Sequence, residues 1–265
     1  MAETARPHER FRWPVEEPPE GWLLEVDDLP ETPLHAAIIA LLVDLLRAWC
    51  DRAAPSALVT TNLGLRWDPR DARRGMDPDV VVVDPAPPEG ELLSTLRVWE
   101  PDHAPPRLVV EVVSPATAGK DYTDAHARCA RLGARELWIF DPLRLGPRLT
   151  GGPFELQIWR RADDGALERI FAGDAPGFSP ELGAWVITTD AGRRLGLADD
   201  PDGRARWSTR SARRAEAELL VRQLGHRFGR LPSGVVDRIR DADHDRLVTW
   251  SERVLDARSL DEVLE

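Results

Sequence analysis

Cysteine is nearly absent from this sequence: Cys50 and Cys129 are the only two in 265 residues, too few for a disulfide framework. Lysine is scarcer still. Lys120 stands alone among 35 basic residues, the other 34 being arginine, a skew that fits genome composition better than chemistry. The longest uninterrupted apolar run, Ala36–Val43, falls far short of the ~20 residues that cross a bilayer, so no membrane span is expected. Met1–Arg12 alternates Glu, Arg and Pro without an apolar stretch; export is not expected, and the cytoplasm is. No glycine-rich phosphate loop occurs, Gly151-Gly152-Pro153 reading as a turn. His8, His103, His126, His226 and His244 lack metal-site spacing with one another or with the cysteines.

What is present suits a folded protein. Hydrophobic residues make up 42% and charged residues 31%, enough to bury a core in one substantial domain with an appendage. The net charge of −11 excludes a simple electrostatic nucleic-acid coat protein, because affinity for phosphate comes from clustered Lys and Arg. That charge is uneven. Residues 204–265 carry a net +2 and the rest −13, and 204–230 alone holds eight arginines against two glutamates.

The pattern divides into a proline-rich irregular leader (1–20), a mixed α/β region (21–203) and a helical tail (204–265). A short extended piece is expected at Trp22–Val26. Thr32 can cap and Pro33 can begin a helix in which Leu34, Ile38, Leu41, Leu42, Leu45, Leu46 and Trp49 share a face, running to about Cys50. Strands are predicted at Ala57–Leu65, Val80–Val83, Leu108–Val113, Glu136–Phe140, 154–160, 167–171 and 184–188, the two valine-rich runs pairing. A helix over Asp121–Leu132 is predicted, with Tyr122, Ala125, Cys129 and Leu132 on one stripe and Gly133 as its stop. Asp163-Asp164-Gly165 reads as a hairpin turn.

Asp79 directly precedes one valine run, and Glu111 lies inside the other. A carboxylate within a β-branched strand is expensive to bury and needs a compensating partner. An arginine can supply it, and so can a divalent ion, since Mg²⁺ uses one or two carboxylates, a carbonyl and retained waters. Pro78-Asp79 alone reads as a turn.

Three blocks widen the pattern: Pro78-Asp79-Val80-Val81-Val82-Val83, Leu108-Val109-Val110-Glu111-Val112-Val113-Ser114-Pro115, and Gly133-Ala134-Arg135-Glu136-Leu137-Trp138-Ile139-Phe140-Asp141-Pro142. In order and spacing they resemble the Uma family of endonucleases, within the restriction-endonuclease-like PD-(D/E)xK superfamily. The resemblance spans roughly residues 20–190. It implies an α/β (α+β) fold in which a mixed sheet is flanked by helices, and Mg²⁺-dependent hydrolysis of DNA, with Mn²⁺ as a substitute ion. It also implies Asp79 and Glu111 as catalytic carboxylates and metal ligands, with the Val113 carbonyl as a further ligand. Glu25 and His35 fall near a family Glu and His.

The departure lies in the cation. A positive group near the scissile phosphate is expected two positions after the Glu, which here is Val113, or in the following helix, where the lysine and tyrosine positions are Ala125 and Cys129. Lys120 and Arg128 are the candidate replacements. Arg128 can clamp a phosphate but cannot act as a base. The alternative is a catalytically inactive scaffold that binds DNA or protein. The tail, with Leu219, Leu220, Leu224 and Phe228 and later Leu247, Trp250 and Val263 at helical spacing, forms a small module, and its Arg-rich start can meet DNA or a solvated face. A homodimer is expected from the needs of double-strand cutting.

Overall fold

The computed structural model describes residues 32–71, 73–148 and 152–265; Glu25, the leader and the piece at Trp22–Val26 lie outside them. Helix α1 spans Pro33–Ala53, with the Thr32 hydroxyl accepting the His35 N–H at 3.2 Å and Pro33 in the first turn. By length and composition α1 could cross a membrane. Its face Ile38, Leu42, Leu45, Leu46 and Trp49 instead packs into the main core against Val80, Val82, Val110 and Trp138.

The strands are β1 (Leu58–Thr60), β2 (Gly64–Arg66), β3 (Gly75–Met76), β4 (Val80–Val83), β5 (Thr95–Arg97), β6 (Pro106–Val112), β7 (Glu136–Phe140), β8 (Leu156–Arg161), β9 (Leu167–Gly173), β10 (Gly177–Ser179), β11 (Ala184–Thr189) and β12 (Arg194–Ala198). A six-stranded sheet runs β1-β4-β6-β7-β8-β9. It is mixed, because β6 and β7 are parallel while the other neighbours are antiparallel. Two three-stranded sheets, β10-β11-β12 and β3-β2-β5, complete the fold.

The central sheet is covered on both sides, which is why its strands read as unbroken apolar runs. Val80 and Val82 enter the α1 core, whereas Val81 and Val83 enter a second core with Val109, Ile139, Tyr122, Ala125 and Cys129. Leu108, Val110 and Val112 face the first core, so alternation turns Glu111 toward the second.

Two expected elements divide. Ala57–Leu65 is not one strand: Asn62 adopts a left-handed φ of 53° and sends β1 and β2 into different sheets. Asn tolerates that conformation better than most residues. The helix expected over Asp121–Leu132 is α2 (Ala118–Thr123) followed by α3 (Ala125–Leu132). The break coincides with the Thr123 hydroxyl donating to the Gly119 carbonyl at 2.9 Å, a local bond that competes with helix continuation. Gly133 ends α3 at φ 75°.

The tail forms α4 (Arg210–Phe228), α5 (Ser233–Arg240), α6 (His244–Arg253) and α7 (Leu260–Leu264), with Thr209, Asp243 and Ser259 as caps. Leu220, Leu224, Ile239, Leu247, Trp250 and Val263 build a third core of their own. Leu219, on the predicted stripe, is half exposed.

Candidate functional site

Asp79 ends the bend before β4, and its Oδ2 accepts the Val112 N–H at 2.7 Å. His35, in the first turn of α1, brings Nε2 to 2.9 Å from the Val112 carbonyl and 3.4 Å from Asp79 Oδ2. The first helix, the start of β4 and the end of β6 therefore meet at one corner. Both main-chain polar atoms of Val112 point to it. Val113 turns its N–H the other way, onto the Phe140 carbonyl at 2.8 Å. Backbone groups alternate sides along a strand, so the carbonyl beside Asp79 is that of Val112 rather than that of Val113.

Glu111 is 4% exposed and its Oε1 has no hydrogen-bond partner. Burial pushes its pKa well above the ordinary range, the negative charges of Asp121 and Asp79 add to this, and Lys120 opposes it. Asp121, in α2, is 1% exposed and neither of its oxygens has a partner. Burial raises its pKa to about 6, with Asp79 adding to the shift and Thr117, Lys120 and His35 opposing. The Thr117 hydroxyl lies close to it, and its oxygen also accepts the Ser114 N–H and lies beside the Ser114 hydroxyl, both at 3.1 Å.

The other deeply buried carboxylates show what saturation looks like here. Glu136 accepts from the Trp138 indole at 2.6 Å, the Ser179 hydroxyl and the Glu181 N–H at 3.1 Å. Asp141 accepts from the Leu145 and Gly146 N–H groups at 2.9 and 2.8 Å and from the Tyr122 hydroxyl at 3.0 Å. Buried polar groups are nearly always satisfied, so two adjacent orphans call for an explanation. No arginine among the described residues pairs with Asp79, Glu111 or Asp121.

The structure thus couples Asp79, Glu111, His35 and Lys120. Lys120 is exposed on α2, within electrostatic reach of Glu111 and Asp121. Arg128 points elsewhere: it pairs with Asp124 at 3.6 Å and approaches the Gly75 carbonyl at 3.4 Å. Glu25 lies outside the described residues. Sequence reasoning missed Asp121, although a signal existed. Ala125 was placed on the inward stripe, and a residue four positions earlier shares that face. Ala125 is 1% exposed, in the same core as Val109 and Val113 on either side of Glu111, so the lysine position has an apolar occupant.

The donors present suit a small hard cation. Among the described residues no three acidic, His or Cys side chains already cage an ion, but Mg²⁺ needs only one or two carboxylates, a carbonyl and waters. Asp79, Glu111 and the Val112 carbonyl are donors of those kinds at this corner.

The Tyr122–Asp141 lock positions α2 and hence Asp121. A Cβ at Gly146 would lie 2.2 Å from the Tyr122 ring. Gly146→Ala is therefore expected to cost about 1–3 kcal/mol through overpacking. Urea denaturation reads this directly; an unchanged midpoint would mean the ring is free to move.

Among solved structures, the chain resembles a crystal structure from Anabaena variabilis titled a "putative nuclease belonging to DUF820", at 17% identity and a TM-score of 0.40, over 57% of this chain and 74% of that one. No curated protein matches the sequence. The family model Uma2, described as "Putative restriction endonuclease", matches residues 9–149, just over half of the chain and inclusive of Asp79, Glu111, Asp121 and Ala125. This chain belongs to the Uma2 family.

Proposed function

We propose that the protein is a divalent-metal-dependent DNA endonuclease that hydrolyses phosphodiester bonds, using Mg²⁺ with Mn²⁺ as a substitute. The observation that supports this most is the pair of buried carboxyls beside Asp79, with Glu111 Oε1 unpartnered and Asp121 under-satisfied. Such an arrangement is costly in an ordinary core and is explained by a cation. Asp79, Glu111 and the Val112 carbonyl would hold the ion, with Asp121 alongside. When bound, such an ion offsets charge on the phosphoryl oxygens and makes water a better nucleophile.

The chain's own groups set up the rest. The Val112 N–H fixes one Asp79 oxygen, leaving the other available. His35 braces that corner. Lys120 supplies the positive charge that stabilises the ionised carboxylates and attracts a phosphate. Cutting both strands calls for two sites, which a homodimer provides.

Incubating plasmid DNA with the protein and Mg²⁺ or Mn²⁺, alongside Asp79→Ala and Glu111→Ala, tests the proposal. Nicking that both substitutions abolish is expected; nicking that survives both would remove these residues from the chemistry.

One observation favours a second reading, in which the scaffold binds DNA or protein without cutting: Ala125 is apolar and buried where a lysine is expected. Ala125→Lys separates the two. A lysine beside Glu111 should raise the cleavage rate at least about 10-fold, a fraction of the 10²–10³ that one charge-stabilising donor contributes. A well-folded Ala125→Lys protein with no cleavage would favour the binding scaffold.

A further inference from the structure

We propose that the cleft between the C-terminal end of α1, the first half of α4 and the α5–α6 junction is a phosphate-binding site. It has a volume of about 750 Å³ and presents five guanidinium groups against four carboxylates. What matters is which of these are already spent. Asp51 is shared by two arginines, Arg210 at 3.0 Å and Arg213 at 3.2 Å. Glu218 is taken by Arg240 at 2.8 Å. Asp243 caps α6 through the Arg246 N–H at 2.9 Å. Asp241 remains.

Against that one carboxylate stand two arginines held by neither Asp51 nor Glu218, and one spare N–H of Arg213. Arg213 Nε is buried without a partner. Arg214 makes no hydrogen bond or ion pair among the described residues, and Arg52 only stacks on the Trp207 ring, 4.7 Å from its centroid. These donors carry fixed positive charge and cannot accept, so their complement is an oxyanion; planar guanidinium forks favour phosphate.

The phosphate has two possible sources, the DNA backbone and a free phosphate ester. Only the first rests on the endonuclease reading. Arg52 lies 17 residues along α1 from His35, about 26 Å along the helix axis, so on a duplex running parallel to α1 a backbone contact here would fall about seven to eight base pairs from the carboxylate corner.

The test uses the full chain in EDTA, so that no result depends on cleavage. Anisotropy of a labelled duplex of about 20 base pairs is measured at several salt concentrations for the wild type, Arg214→Gln and Arg52→Gln/Arg214→Gln. Calorimetry with inorganic phosphate runs in parallel. For a backbone contact, the double variant should bind DNA about 10-fold more weakly, with a salt slope shallower by about one per arginine. Unchanged DNA affinity, with inorganic phosphate bound by the wild type and not by Arg214→Gln, identifies a free phosphate ester. DNA affinity unchanged and no phosphate bound overturns the proposal. If the double variant fails to fold, Arg214→Gln decides, because Arg214 is exposed and has no ion pair to lose. The plasmid assay with Asp79→Ala is read separately, so either idea can fail alone.

Discussion

Asp121→Asn is expected to raise the stability of the metal-free protein while lowering its cleavage. In the folded state the Asp121 pKa is raised from 3.8 to about 6, chiefly by burial. A raised carboxyl pKa means that the folded state holds its proton more tightly than the unfolded one. The penalty is absent below pH 3.8, grows between pH 3.8 and 6, and is complete above that. Its size is about 2–4 kcal/mol at neutral pH. The amide keeps the shape and removes the charge, so denaturation at about pH 8 should show a gain of that order, vanishing near pH 4. Cleavage should fall, because on the proposed function the charge that burdens the fold would be offered to the cation. A variant neutral in stability at both pH values would show that Asp121 is already compensated.

Glu111→Gln is the second large effect. Cleavage should fall by about 10³-fold, the scale on which losing a central electrostatic group acts. The same substitution should abolish stabilisation by Mg²⁺ or Mn²⁺. In the wild type such an ion should raise stability by about 2.7 kcal/mol at one hundred times its dissociation constant. That gain should be larger at about pH 8 than at about pH 5, where Asp121 holds a proton that the ion must displace. Melting curves with and without ion at both pH values check it. Ion-induced stabilisation that persists in Glu111→Gln would place the ion elsewhere.

Much of this arrangement was legible in the residues. The α1 stripe and its Thr32-Pro33 start, the pairing of the two valine runs and the Glu136–Phe140 strand follow from period and capping, and the structure shows each of them. β3, β5 and β10 were not foreseen, because strands of two or three residues leave no period to read, and neither was β12, which Gly196 interrupts. Asp79 and Glu111 stood out because their neighbours are β-branched. Asp121 did not, since a charged residue near a helix start passes for a solvated one. Only the packing of α2 shows that it is buried. Val112 rather than Val113 faces the corner for a similar reason: which side a carbonyl takes depends on the partner strand, and that is a tertiary fact.

The valine run of β4 is buried on both faces, with alternate residues committed to different cores. Inserting or deleting a single residue there would exchange the two sets and carry Asp79 to the wrong end of its hydrogen bond with Val112. Length changes should therefore be tolerated in the exposed turn at Pro69 and Arg70 and rejected between Pro78 and Asp84, which makes the spacing of that block a stricter marker of descent than its composition.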